Sequence, residues 1–384
     1  MFVINFNPVT ILHVMPNVSR AFGGPTESLI GYARAAATQD LTVEVAAPAV
    51  AAKDRDWLQE ALPDTTRLHE FASVGRHAWV VAPGLWVWLA RHASRYDVIH
   101  VHGLFNPVGS LCARIAVASP TPTVMRPFGT LSRYTFSRRS MLKQLYFRLL
   151  DRPALQRADA IHFTTEAERE EASRFDLALE ERSHIVPPPW RGDVVRSGTD
   201  KTAHPTVLFM SRLHPKKNVK GLLEAWAQVV ASYPDAELIV AGSGAKAYVQ
   251  SLHERVGALG LHDNVSFVGF VTGAEKQRLL ASSWAFALPS HQENFGVAVL
   301  EAVAAGLPVV ISDAVQLRAF VEAHDLGLIT DRTPDTIAAA LQEVMARPDW
   351  RAACATRGPE AVAETFSLEV VGQQLVEMYR AVRG

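Results

Sequence analysis

Four charged side chains in the second half of this 384-residue chain have types and spacings suited to an extended anionic ligand. In VLFMSRLHPKKN the apolar, β-branched run ends at Ser211, and Arg212 and Lys217 flank a proline-containing turn before the helix-forming stretch NVKGLLEAWAQVV. Arginine offers a planar donor fork and lysine a compact charge, and each charge-assisted bond contributes roughly 1.5–3 kcal/mol when partly desolvated. Two cations at the mouth of a strand suit a diphosphate, although this motif taken by itself reads more simply as a solvated basic turn. Farther on, WAFALPSHQENFGVAVLEAVAAGLPVV runs from a strand into a polar loop, and Asn294, Phe295 and Gly296 are expected to open a helix with free amides at its start. Glu293 and Glu301 stand eight residues apart. At about 100° and 1.5 Å per residue, the second carboxylate would lie roughly 80° round and 12 Å along from the first if both were helical. A ligand reaching both must be extended, with hydroxyls at each end, as a sugar and a ribose joined by a diphosphate would be. The plainer reading makes Glu293 a helix-start charge favoured by the dipole. Glu301 resists that reading, because it sits in an apolar run where a buried carboxylate is costly without a partner.

Weaker signals lie elsewhere. Gly23 and Gly24 follow the first strand and precede a helix, with Thr26 expected as its cap, in a loop that would let backbone amides approach a phosphate. Asp54, Arg55 and Asp56 form a DxD, but AAKDRDWLQE reads as a charged helix face away from any strand end, so no metal is expected. Gly242, Gly244 and Ala247 follow a strand in the order GxGxxA, the pattern of a dinucleotide oxidoreductase. That motif should open a nucleotide-binding half and be answered by an acid at the end of the next strand; here it follows the second strand and VSFVGF ends without one.

The elements that must position these residues are legible as alternation. ILHVM, TVEVAA, DVIHVHG, TVMRPFG and DAIHFTT recur between amphipathic stretches in the first half, and TVLFMS, AELIVAG, VSFVGF, WAFALPS and PVVISD in the second. The pattern predicts two doubly wound α/β domains facing across a cleft. A Pro-, Gly- and charge-rich stretch separates them, so the expected boundaries are residues 1–190, a linker at 191–204, a second domain at 205–365, and a last helix at 366–384 packing back on the first domain. Lys and Arg number 38 against 39 Asp and Glu, which leaves no basic field for nucleic acid. Cys112 and Cys354 have no paired spacing and suit a reduced compartment. The N-terminal MFVINFNPVTILHVM lacks the basic start of an export signal, and no run reaches the roughly 18 apolar residues that cross a bilayer. The expected location is cytoplasmic.

Together these motifs resemble the large GT-B family of retaining glycosyltransferases called family 4, most closely from SRLHPKKN through ENFGVAVLEAVAAGLPVVISD. The resemblance implies Rossmann-like halves and a nucleotide-sugar donor, UDP- or GDP-linked, used without metal or other cofactor. It implies that Arg212 and Lys217 hold the donor diphosphate and that Glu293 and the 294–296 amides hold the sugar. Glu301, with Leu300 beside it, would serve the ribose, Val268, Gly269 and Phe270 would frame the base, and Gly23 and Gly24 would lie near the phosphate. The leaving diphosphate would itself take the acceptor's proton on the same face of the sugar. On the acceptor side, His102 at the end of DVIHVH and the adjacent Arg126 are the candidates for polar contacts.

Residues 131–157 hold seven cations, Arg133, Arg138, Arg139, Lys143, Arg148, Arg152 and Arg157, against Asp151 alone, with aromatic and apolar residues interleaved. Such a segment fits either a core helix with a solvated basic face or one that docks on anionic lipid, and the second reading implies a lipid-linked saccharide acceptor at the inner face of a membrane. The rival from outside catalysis is a two-domain sugar-binding or regulatory protein; such proteins usually carry an export signal.

Overall fold

The computed structural model describes residues 9–76, 79–137, 140–192 and 201–384. They form two compact units, Met1–Arg191 with Phe366–Gly384, and Gly192–Thr365.

In the first unit, the strands are β1 (Val9–Val14), β2 (Leu41–Pro48), β3 (Arg67–Phe71), the hairpin pair β4 (Val74–Arg76) and β5 (Trp79–Val81), β6 (Val98–His102), β7 (Thr123–Arg126), β8 (Ala160–Phe163) and β9 (Ser183–Ile185). Leaving the hairpin aside, they make one sheet in the order β3-β2-β1-β6-β7-β8-β9, with every pairing parallel. Neighbouring residues along a strand enter different cores: Ile11, Val98 and Val124 join one apolar cluster, and Leu12, Ile99 and Met125 the other. A sheet covered on both faces explains why these strands read as continuous apolar runs rather than alternating ones. The last helix, Leu368–Arg383, is capped by Ser367. It buries Val371, Leu375, Met378 and Tyr379 in the same cluster as Leu29, Ile30 and Tyr32 of helix Gly24–Ala37, a spacing that keeps one face inward.

The second unit has β10 (Thr206–Met210), β11 (Glu237–Ala241), β12 (Val265–Gly269), β13 (Ala285–Leu288), β14 (Val309–Ser312) and β15 (Gly327–Thr330). They lie in the order β12-β11-β10-β13-β14-β15, all parallel. The strand order reverses between β10 and β13, and open α/β sheets bind ligands just beyond the carboxyl ends at such a reversal. Residues 193–200 of the expected linker lie outside the described residues. The Thr202 amide donates to the Ser282 carbonyl at 3.1 Å, so the chain is attached to the second unit before residue 205.

Candidate functional site

The loops that leave β10, β13 and β14 are tied to one another by backbone bonds. The His291 amide donates to the Lys216 carbonyl at 2.8 Å, the Glu293 amide to Ala314 at 3.0 Å, and the Gln316 amide to the Glu293 carbonyl at 3.1 Å. Glu293 is thereby held on both sides of its own peptide. Its side chain receives Lys217, whose Nζ donates to Oε2; the two side chains are 20% and 11% exposed, so the pair is shielded from much of the water that weakens surface ion pairs. Arg212 is exposed where β10 ends. Lys216 is depressed below the usual lysine range, first by burial and then by Lys217 and Arg212, with Glu293 opposing. Three cations and one carboxylate therefore share this end of the reversal, a surplus that suits a diphosphate.

The helix after β13 spans Val297–Ala304, and its N-cap is Gly296 at φ 95°, ψ 54°, a left-handed conformation that glycine adopts without steric cost. This corrects the expectation that Asn294 to Gly296 form its first turn. Glu293 precedes the helix and lies in a bridge to Val315, so the helical offset between the two glutamates does not apply. Phe295 and Leu300 are core residues, 6% and 2% exposed, and leave only backbone atoms for a ligand. Asn294 keeps a buried Oδ1 with no hydrogen-bond partner, the sort of orphan acceptor that a ligand hydroxyl would satisfy. Glu301 is not unpartnered: Lys276, in the helix Gly273–Ser282 after β12, donates to it at 2.8 Å. Nothing in the spacing of the two residues announces that pair. Val268 and Phe270, at the end of β12, are 40% and 73% exposed on either side of Gly269, an aromatic surface available for stacking.

The GxG pattern has a different role from the one it suggests in the sequence. A Cβ at Gly242 would stand 1.9 Å from the Ser211 carbonyl oxygen, and one at Gly244 would stand 2.1 Å from that of Leu213. Leu213 and Gly244 bridge directly, and the Leu213 amide donates to Ser243 at 2.8 Å. The glycines let the loop after β11 brace the turn that carries Arg212. Gly244→Ala is expected to push that turn aside, lowering stability by about 1–3 kcal/mol and raising the donor KM; thermal melts and donor titrations check both.

In the first unit, helix Gly24–Ala37 is capped by Gly23 rather than by Thr26, whose Oγ1 donates to the Ser19 carbonyl at 3.1 Å. The acceptor candidates also need correction. His102 and Arg126 are 0% and 1% exposed, because β6 and β7 are inner strands with both faces covered. His102 Nε2 shares a 2.9 Å hydrogen bond with His13 Nδ1, and the Arg126 guanidinium packs 4.6 Å from the Tyr32 ring and 4.3 Å from the Phe128 ring. They belong to an interior network with His100, His162 and Tyr379. The ring nitrogens of His13, His100 and His102 lie within 4.8 Å of one another. Burial first, and then the positive charge of Arg126, disfavours protonation of His13 and His102, and both would oppose a cation there as well. Asp54 and Asp56 lie on the helix Ala52–Ala61, which buries only Leu58, and Arg55 is paired with Glu70.

These features define a two-domain enzyme of the GT-B type. Residues 23–189 match the family described as "Glycosyl transferase 4-like domain", and residues 195–361 match "Glycosyl transferases group 1". The chain belongs to the group 1, family-4 glycosyltransferases. It is 29% identical over 300 residues to a phosphatidyl-myo-inositol mannosyltransferase of Mycolicibacterium smegmatis, covering 77% of this chain and 74% of that one. It is also 25% identical to the alpha-D-kanosaminyltransferase of Streptomyces kanamyceticus, over 81% of this chain and 84% of the other. Among solved structures, Anabaena HepE in complex with UDP superposes with a TM-score of 0.77 at 21% identity, over 96% of this chain and 99% of that one. Among the described residues, no helix is long and apolar enough to cross a membrane.

Proposed function

We propose that the protein is a metal-independent, retaining glycosyltransferase that moves a sugar from a UDP- or GDP-sugar to a lipid-linked saccharide. The observation that carries this reading is the Lys217–Glu293 pair, set beside Arg212 and Lys216 at the strand-order reversal. The Lys217 ammonium has three donors, so its bond to Glu293 leaves two for phosphate oxygens. Glu293 and the orphaned Asn294 Oδ1 accept from sugar hydroxyls, and Glu301 accepts from the ribose. As the bond from the anomeric carbon to the diphosphate breaks, Arg212 and Lys217 neutralise the charge that develops on the leaving oxygen. The acceptor oxygen bonds to the same face of the sugar, and its proton passes to the departing phosphate. Two points support a lipid-linked acceptor. One relative is named for a phosphatidyl-inositol substrate, and the basic segment exposes Met141, Leu142 and Leu145, an apolar surface that anionic lipid would cover.

The test is transfer from a panel of UDP-, GDP- and ADP-sugars, with and without EDTA, scored for the anomeric configuration of the product. The productive nucleotide is expected to raise thermal stability by about 2.7 kcal/mol at 100 times its Kd. The product should keep the donor's configuration and EDTA should change nothing. Absence of any nucleotide binding would sink the reading, and inversion or loss of activity with EDTA would sink its mechanism.

A further inference from the structure

A cavity of about 410 Å³ opens beside the basic segment of the first unit. One π-helical turn, Phe147–Asp151, joins helices Ser140–Tyr146 and Arg152–Arg157. Two rows run along this stretch at four-residue spacing, which places each on one side of the helix. Met141, Leu145 and Leu149 form the first, 84%, 54% and 62% exposed. Gln144, Arg148 and Arg152 form the second, and all three line the cavity together with Arg174, Phe136, Phe147 and Phe175.

The cavity's chemistry is one-sided. Arg148, Arg152 and Arg174 converge on it, and Asp176 is the acid among its lining residues. Asp176 meets Arg152 at 3.5 Å with its side chain 92% exposed, where solvent screening leaves it little neutralising power. Arg174 is preset: its guanidinium lies 4.6 Å from the Phe175 ring and 5.3 Å from the Phe136 ring, and Nη2 donates to the Leu131 carbonyl at 2.8 Å. Burial and the nearby Arg133 disfavour its charge, with Glu171 opposing, and an anion would relieve that.

Guanidinium forks match phosphate oxygens, and the adjacent exposed leucines match acyl chains. We propose that this cavity is a headgroup site for an anionic phospholipid, filled when the Met141–Leu145–Leu149 row rests on a bilayer. The proposal rests on the membrane-docking reading above and adds to it a defined phosphate site.

The experiment compares full-length protein with Arg148→Ala, Arg174→Lys and, as a control of equal charge change outside the cavity, Arg157→Ala. Flotation is measured on vesicles of phosphatidylcholine with and without phosphatidylglycerol. Dihexanoyl-phosphatidylglycerol below its micellar concentration, glycerol phosphate and inorganic phosphate are titrated separately. Arg148→Ala is expected to weaken binding to the anionic vesicles about fivefold, and Arg174→Lys to weaken it although the charge is kept, because the planar fork is lost. Arg157→Ala should weaken it less than either, the short-chain lipid should bind saturably, and the nucleotide-induced thermal shift should be unaffected throughout. If wild-type flotation ignores phosphatidylglycerol, the docking reading falls. If flotation depends on it but Arg157→Ala matches Arg148→Ala, docking stands on diffuse charge and the headgroup site is overturned. Inorganic phosphate binding as tightly as the short-chain lipid also overturns it, in favour of a free-phosphate site.

Discussion

Lys217→Ala is expected to lower kcat with the productive nucleotide sugar by about a hundred- to a thousandfold, the usual cost of removing one preplaced group that stabilises transition-state charge. Two losses combine. The leaving diphosphate loses a cation, and Glu293, 20% exposed and pinned at its backbone, loses its counter-charge and is no longer held toward the sugar. Lys217→Arg keeps the charge but replaces a point donor with a planar fork, so only partial activity should return. A structural role alone predicts something else: the damage would lie in stability, and removing Glu293 as well would largely undo it, because the unpaired carboxylate would be gone. In the Lys217→Ala, Glu293→Ala double variant, thermal stability is therefore expected to recover while kcat stays low. Stopped or initial-rate assays at saturating donor, paired with melting curves, separate the two. Recovery of kcat in the double variant, or an unchanged kcat in Lys217→Ala, would remove Lys217 from the leaving-group role.

Much of this candidate site is legible in the chain because its residues are grouped locally. Arg212 and Lys217 are separated by one turn, and Glu293 follows a strand whose apolar run is unmistakable. A parallel sheet covered on both faces writes each strand as a short apolar block, which is why both halves of the fold show in the alternation. What did not show depends on distance in sequence. Lys276 reaches Glu301 from another helix, and Gly244 braces Leu213 across two strands. The start of the helix is not legible because Gly296 holds a positive φ, a freedom that the residue type permits but does not demand. The burial of His102 is hidden in the sequence for a related reason. Position at a strand's carboxyl end says nothing about what the rest of the chain lays over it, and Tyr379, far away in sequence, closes the network from the last helix.

That closed network should make the first unit acid-labile. His13, His100, His102 and His162 are all fully buried. Burial, reinforced by Arg126 and by neighbouring imidazoles, lowers His13 to about 3 and the other three well below the ordinary histidine range. In the unfolded chain each titrates near its ordinary value of about 6.5. As pH falls below that value the unfolded state takes up protons first. The stability each contributes by being neutral is then lost toward its folded pKa, at up to about 1.4 kcal/mol per pH unit. Two buried carboxyls in the same unit act in the opposite direction. Asp151 is raised to about 6 and Glu168 is also raised, both mainly by burial, so the folded state takes up their protons first and gains stability as pH falls. Tyr32 and Tyr379 are pushed further up by burial and stay neutral, and Arg126 stays charged. Half-buried His184 of the same unit is lowered as well, by burial, so the lowered histidines outnumber the raised carboxyls and stability is lost as pH falls below about 6.5. The melting temperature is therefore expected to drop steeply there, with proteolytic cleavage appearing first within residues 9–191. His162→Gln can still donate to the Val186 carbonyl that His162 meets at 2.6 Å but cannot take up a proton, so it should flatten the slope by about one proton's worth. A melting temperature that stays level between about pH 6.5 and 4.5 would mean that these imidazoles are not held neutral by the fold.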